Sequence, residues 1–144
     1  IKNNNYSFNY FINSSIINSK YTKSEVPGVE GKKVEFVPKV NIKSGFKFGY
    51  KNVILNIQYT YLSSQFTDAS NAINGNLSGV IGQIPSYDIL DFSASYSINK
   101  FKLEAGLNNF LNNYYFTRRA TGYPGPGIIP SEPRSIYFTV QLKI

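Results

Sequence analysis

Two adjacent arginines are the side chains of this sequence best suited to bind a ligand. Arg118 and Arg119 lie in a Gly- and Pro-rich segment, residues 117–130, which also contains Tyr123. Guanidinium groups can hold a carboxylate or a phosphate through two parallel hydrogen bonds. The segment therefore predicts either a site for an anionic ligand, formed by Arg118, Arg119 and Tyr123, or ion pairs that pin the loop to acidic neighbours such as Glu132.

A second basic group repeats at a spacing of four residues, at Lys39, Lys43 and Lys47. In a strand this spacing places all three lysines on one face. Such a stripe attracts anionic solutes or an acidic protein surface, or it only keeps a polar interior hydrated. Nucleic-acid binding is not expected, because the aromatic residues fall on the opposite face and cannot stack bases beside the lysines.

Enzymatic chemistry has few candidates here. The 144 residues contain no His and no Cys, so the imidazole of a catalytic triad and the usual zinc ligands are missing. Glu30, Glu35 and Glu104 offer carboxylates, but no second acid stands at a defined spacing from them. There is also no Gly-rich phosphate loop and no nucleophile motif. We expect a protein that is not an enzyme and that has neither a cofactor nor a metal site.

The elements that position these residues are predicted by apolar and polar residues that alternate with period two. In the last segment, for example, Phe138, Val140 and Leu142 alternate with Thr139 and Gln141. The pattern indicates an all-β, antiparallel protein with about six long strands. The predicted strands cover residues 6–16, 40–50, 53–61, 90–98, 101–108 and 136–144.

The connections between these strands alternate in length. Two are tight turns, Lys51 with Asn52 and Asn99 with Lys100. Three are long and polar or rich in Gly and Pro: residues 22–38, 63–86 and 114–133. Short turns at one end and long loops at the other are typical of bacterial outer-membrane barrels, in which the long loops face outside.

Strand length favours a membrane barrel over a soluble sandwich, which would show the same alternation. The strands have about ten residues, as membrane strands do, whereas soluble strands average about five or six. Tyr and Phe cluster toward strand ends, as in the aromatic girdles of barrels. About six strands do not close a membrane barrel, since the smallest have about eight. We therefore expect a partial or processed chain whose remaining strands come from elsewhere.

Several blocks resemble the C-terminal part of TonB-dependent outer-membrane receptors. These blocks are residues 64–68, 84–87, 90–91 and 106–110. Residues 115–130 and the closing strand, 134–144, resemble the ferric-citrate-receptor-like branch found in Bacteroidetes. The resemblance covers nearly all of the chain from about residue 38 onward.

The resemblance implies a barrel of roughly 22 strands, with residues 1–144 supplying the last six or so. A plug domain and the remaining strands are absent from this chain. The implied function is active uptake of a ferric siderophore or similar anionic chelate across the outer membrane of a Gram-negative bacterium. The implied partners are outer-membrane lipid and, through the missing part, the TonB complex. The alternative is a passive channel or structural barrel built from several chains.

The resemblance also implies that the last strand carries a signal read by the barrel-assembly machinery. In this sequence the signal is carried by Tyr137, Phe138, Val140, Leu142 and Ile144. The terminal residue of such signals is often aromatic, and Ile144 departs from that pattern.

Overall fold

The structure, a computed structural model, describes residues 5–122 and 125–143. It is all-β, as the alternation predicts. The strands are β1 (Tyr6–Ile16), β2 (Val40–Tyr50), β3 (Val53–Leu62), β4 (Gln65–Phe66), β5 (Gln83–Ile84), β6 (Tyr87–Ile98), β7 (Phe101–Asn108), β8 (Phe116–Ala120), β9 (Gly127–Pro130) and β10 (Ser135–Leu142). Within the described ranges, no helix is long and apolar enough to cross a bilayer.

Six strands form one antiparallel sheet in the order β1-β2-β3-β6-β7-β10. These are the six strands that the alternation predicts, although β6 begins three residues earlier, at Tyr87. The other four strands lie in segments predicted only as long connections, where β4 pairs with β5 and β8 pairs with β9. Their pairings are short and end in irregular backbone, so no sustained alternation signalled them.

The strand register gives the sheet one continuous apolar face. Across neighbouring strands, Tyr10 lies opposite Phe46, Phe46 opposite Ile57, Ile57 opposite Phe92, Phe92 opposite Leu107, and Leu107 opposite Ile136. Among the described residues, Val29 and Ile84 are the buried apolar ones, and both lie outside the six-stranded sheet. The apolar face is therefore not covered by a second sheet of the described chain, as it would be in a sandwich.

On the opposite, polar face, which we call the inner face, a tyrosine ring of β10 packs directly on a glycine of β7. The ring of Tyr137 in β10 lies across Gly106 of β7, where a Cβ atom would stand 2.1 Å from Cε1 of the ring. The Tyr137 hydroxyl donates to Oε1 of Glu104 at 3.3 Å, and Lys102 Nζ lies 3.0 Å from the other carboxylate oxygen. Glycine is thus required at position 106 so that the last strand can lay its tyrosine flat on the sheet.

The short turns have the backbone shape that tight hairpins need. Tyr50 pairs with Val53 and Ile98 pairs with Phe101, so each loop has two residues. The first residue of each turn, Lys51 or Asn99, has a positive φ, of 50° and 51° respectively. This backbone sense matches the twist of the flanking strands.

The other end of β6, β7 and β10 is tied by Asn109, which is only 3% exposed and follows β7 in a left-handed conformation with φ 49°. Its backbone N–H donates to Oδ1 of Asp91 at 2.9 Å. Its side-chain oxygen accepts from Asn113 N at 3.0 Å, and Nδ2 donates to the carbonyls of Asn113 and Glu132. One buried amide therefore joins the strand ends to the start and finish of the third long connection.

We expect Gly106→Ala to destabilise the sheet by about 1–3 kcal/mol, because the new methyl group would overlap the Tyr137 ring. Gly122→Ala is the matched control, since a Cβ atom at that position would meet nothing within 4 Å. Urea unfolding of the full-length protein in detergent measures both. Combining Gly106→Ala with Tyr137→Ala should recover part of the loss in stability. Equal stability of Gly106→Ala and Gly122→Ala would refute the close contact.

We expect Asn109→Asp to cost about 1–3 kcal/mol, because an oxygen would replace the amide that donates to two carbonyls. The new carboxylate oxygen would instead face the carbonyl oxygens of Asn113 and Glu132. Asn108→Asp is the control, because its side chain makes one exposed bond, to Ser135. Limited proteolysis of residues 114–133, together with unfolding, reads out the effect. Equal behaviour of the two variants would contradict a tying role for Asn109.

Candidate functional site

The candidate site is formed by the three long connections, which all leave the same end of the sheet. We name them loop A (residues 17–39, between β1 and β2), loop B (63–86, between β3 and β6) and loop C (109–134, between β7 and β10). The two tight turns lie at the opposite end. Because consecutive strands are antiparallel neighbours, the topology alone brings the three loops together.

Loop A folds back on itself. The backbones of Lys20 and Lys33 form an isolated antiparallel β-bridge, and Tyr21 N donates to the carbonyl of Lys32 at 2.9 Å. The Tyr21 hydroxyl donates to Oε2 of Glu35 at 2.5 Å, and this hydrogen bond, more than the loss of hydration, raises the pKa of the phenol. A raised pKa favours the protonated donor. The contact is therefore complete below pH of about 10 and is lost as the pH rises through the raised value.

Loop A is joined to loop B by three hydrogen bonds. Asn71 accepts from Lys33 N at 2.7 Å and donates to the carbonyl of Lys33 at 2.9 Å. Phe36 N donates to the carbonyl of Phe66 at 2.9 Å. Phe36 and Asn71 both have positive φ values, 54° and 57°. The loops are thus joined by one hydrogen bond between backbone groups and by the side-chain amide of Asn71, which contacts both backbone polar groups of Lys33.

Loop B is joined to loop C by Arg119. Its guanidinium donates to the carbonyl of Gly79 at 2.8 Å and to that of Gln83 at 3.1 Å. The same group lies 5.2 Å from the centre of the Phe116 ring, which adds a cation–π contact. Its partners are backbone carbonyls, not acidic side chains. Arg119 therefore fastens the two loops together through atoms that any sequence in loop B would offer.

Arg118 has a different environment from its neighbour. It lies in β8 opposite Ile129, whereas Arg119 lies opposite Ile128. Consecutive strand residues point to opposite faces, so the two guanidinium groups are not placed to hold one anion together. Arg118 is exposed, and within the described part of the chain it makes no hydrogen bond or ion pair. Tyr123, the third member of the predicted site, lies outside the described residues.

The lysine stripe lies on the inner face. Lys43 is opposite Asn13 and Thr60, and Lys47 is opposite Asn9 and Asn56. Lys39 lies just before β2, where its carbonyl accepts from Ile17 N at 2.9 Å. All three lysines are exposed, and among the described residues the one ion pair is that of Lys102 with Glu104. Within the described residues the stripe therefore presents unpaired positive charge on the inner face of the sheet.

The residues predicted as an assembly signal divide between the two faces of β10. Phe138, Val140 and Leu142 lie on the apolar face and are 66%, 56% and 54% exposed. Tyr137 lies on the inner face against Gly106. Ile144 lies outside the described residues.

Two residues that organise the loops were given no such role from the sequence: Asn71 was not singled out, and Asn109 stood only as a member of the block 106–110. Asn71 and Asn109 each use a side-chain amide and a left-handed backbone to join distant segments. Asparagine is the non-glycine residue that best tolerates this conformation, so an Asn in a long connection was the available signal. Which segment each Asn contacts depends on the assembled loops.

Comparison with known proteins identifies a family model and solved structures that resemble this chain. The family model "TonB dependent receptor-like, beta-barrel" matches residues 2–110. A comparison with curated protein sequences gives no significant match.

Solved structures share the fold at low sequence identity. The ferric citrate transporter FecA, in its unliganded form, superposes with a TM-score of 0.85 at 23% identity, covering 94% of this chain and 21% of that chain. The siderophore receptor PiuA from Acinetobacter baumannii gives 0.74 at 22% identity, over 97% and 20%. The ferric yersiniabactin uptake receptor FyuA from Yersinia pestis gives 0.75 at 16% identity, over 97% and 21%. The chain thus spans about a fifth of the length of these proteins.

The family model covers most of the chain, including five of the six strands of the large sheet: β1, β2, β3, β6 and β7. The superposition on the ferric citrate transporter FecA shows that the fold is shared. The chain belongs to the TonB-dependent receptor-like β-barrel family.

Proposed function

We propose that residues 1–144 are the C-terminal barrel segment of an outer-membrane, TonB-dependent active transporter for a ferric siderophore or similar anionic chelate. The observation that carries the proposal is the match of the receptor barrel model over residues 2–110. Strands from the rest of the transporter complete the barrel, and a plug domain fills it. The TonB complex acts through that remaining part.

The two faces of the sheet support a place in the membrane. An apolar face that is not covered by protein suits lipid, and a face of Ser, Asn, Gly and Lys suits a hydrated lumen. In lipid each unpaired backbone group costs several kcal/mol, so the free edges of β1 and β10 require partner strands. The apolar residues of β10, among them Phe138 and Val140, are our proposed signal for the barrel-assembly machinery.

The long loops support a role in ligand capture. Loops A, B and C are linked by hydrogen bonds into one unit, and a linked unit loses less conformational entropy when a ligand binds. Arg118 projects from this unit with its guanidinium unpaired among the described residues. An anionic chelate is the ligand class that such a group recognises. We assign ligand contact to Arg118 and bracing of the loops to Arg119, and the ferric-citrate-receptor-like branch provides the first ligand to test.

Uptake of radiolabelled iron by cells that carry or lack the full-length gene tests the transport proposal. Under iron limitation we expect the gene to confer accumulation from ferric citrate or another anionic ferric chelate. The accumulation should stop when a protonophore removes the energy source. Accumulation that persists with the protonophore would instead indicate a passive channel, and no accumulation from any anionic ferric chelate would refute the proposed ligand class.

The two arginines should give different defects. Arg118→Gln should weaken binding of ferric citrate by roughly 10- to 100-fold, the value of one or two charge-assisted hydrogen bonds, while a neutral ferric hydroxamate is unaffected. Arg119→Gln should leave loops B and C open to protease, because the carbonyls of Gly79 and Gln83 lose their donors.

Calorimetric titration and limited proteolysis of the full transporter separate these outcomes, and each variant is the control for the other. Ligand binding unchanged in Arg118→Gln would remove that residue from the site. Protease resistance unchanged in Arg119→Gln would show that the other contacts hold the loops.

A further inference from the structure

The positive charge of this chain is distributed unevenly between its two ends. The sequence has 15 basic and 8 acidic residues. Seven of the acidic residues lie in the three loops or in the adjoining half of β6, and the eighth, Glu104, is paired with Lys102. The end with the tight turns therefore has an excess of positive charge that no acidic side chain of the described residues offsets.

Three lysines form this basic end, which we name the turn rim: Lys51, Lys100 and Lys143. Lys51 and Lys100 lie in the two tight turns, and Lys143 follows β10. Lys143 N donates to the carbonyl of Lys100 at 2.8 Å, so these two residues are neighbours. All three are exposed and make no ion pair within the described part of the chain.

The turn rim borders the aromatic edge of the lipid-facing surface. Tyr6, Tyr50, Tyr96 and Phe101 form this edge on the apolar face, and each is more than 40% exposed. Nζ of Lys51 lies 5.4 Å from the centre of the Tyr50 ring, so its ammonium group is held at the outer surface. Lysine side chains commonly extend in this way, with the aliphatic part on the apolar surface and the ammonium group at the polar boundary.

We propose that the turn rim binds anionic phospholipid headgroups of the membrane leaflet that surrounds the tight turns. The aromatic edge holds Lys51 at headgroup depth, and Lys100 and Lys143 lie at the same end of the sheet, in a tight turn and just after β10. Lysine supplies a charge that phosphate can approach from any direction. Each basic residue near an anionic membrane surface contributes about 1 kcal/mol. The proposal goes beyond transport and does not depend on which chelate is carried.

Native mass spectrometry of the complete, delipidated transporter tests this assignment, with phosphatidylglycerol and phosphatidylcholine titrated in turn. The wild-type protein should retain the anionic lipid in preference to the zwitterionic one. Combined Lys51→Gln, Lys100→Gln and Lys143→Gln should reduce this preference by roughly fivefold per lysine, the equivalent of about 1 kcal/mol each. Replacing the same three lysines by Arg should keep the preference.

The lumen provides a matched control with the same change in charge. Combined Lys39→Gln, Lys43→Gln and Lys47→Gln also removes three positive charges, but from the inner face, so the lipid preference should remain. Equal loss in both triple variants would overturn the proposal, because net charge alone would then explain it. Retention of the preference in the rim variant would overturn it as well.

A second measurement covers the case in which the rim variant does not fold. The preference of the wild-type transporter for phosphatidylglycerol should fall as salt rises from 0.01 M to 1 M, since screening shortens the reach of exposed charges from about 30 Å to about 3 Å. A preference that does not change with salt would show that these lysines are not its source.

Discussion

The antiparallel hydrogen-bond ladder is the interaction on which the rest of this structure depends. It pairs the backbone polar groups between six long strands, up to the outer edges of β1 and β10, and leaves side chains pointing alternately to two faces. In lipid, only such a ladder permits strands to cross, because unpaired backbone groups are costly there. The continuous register across β1, β2, β3, β6, β7 and β10 then assembles one apolar face from separate segments of sequence. Lipid-facing and lumen-facing properties are consequences of this register.

The ladder also fixes where the long connections lie. Two-residue turns join antiparallel neighbours at one end of the sheet, so loops A, B and C meet at the other end. There, side chains replace the ladder as the source of order: Asn109 binds the base of loop C, Asn71 links loop A to loop B, and Arg119 links loop B to loop C. Each uses backbone groups of the partner loop, so the assembly tolerates sequence change in the segments it holds.

Charge follows the same division. The loops contain both signs, the inner face has the lysine stripe, and the turn rim has lysines without described acidic partners. A sheet with two dissimilar faces and two dissimilar ends is suited to four environments, which in the proposed transporter are lipid, lumen, external solution and the opposite membrane boundary. The placement of Lys, Tyr and Phe differs among these four because each environment favours a different combination of charge and apolar surface.

The sequence by itself determined the six strands, their faces and the tight turns, because period two and turn length are local properties of the chain. The likeness to TonB-dependent receptor barrels was also carried by the sequence, in blocks such as residues 106–110. The alternation of Phe138, Val140 and Leu142, for example, specifies their face whatever their neighbours are. Only the tertiary structure decided the roles of the loop residues. Arg118 and Arg119 are adjacent and chemically alike in sequence, yet strand geometry turns one toward solvent and the other toward carbonyls about 40 positions away. Such contacts depend on how long loops meet, and nothing local encodes that meeting.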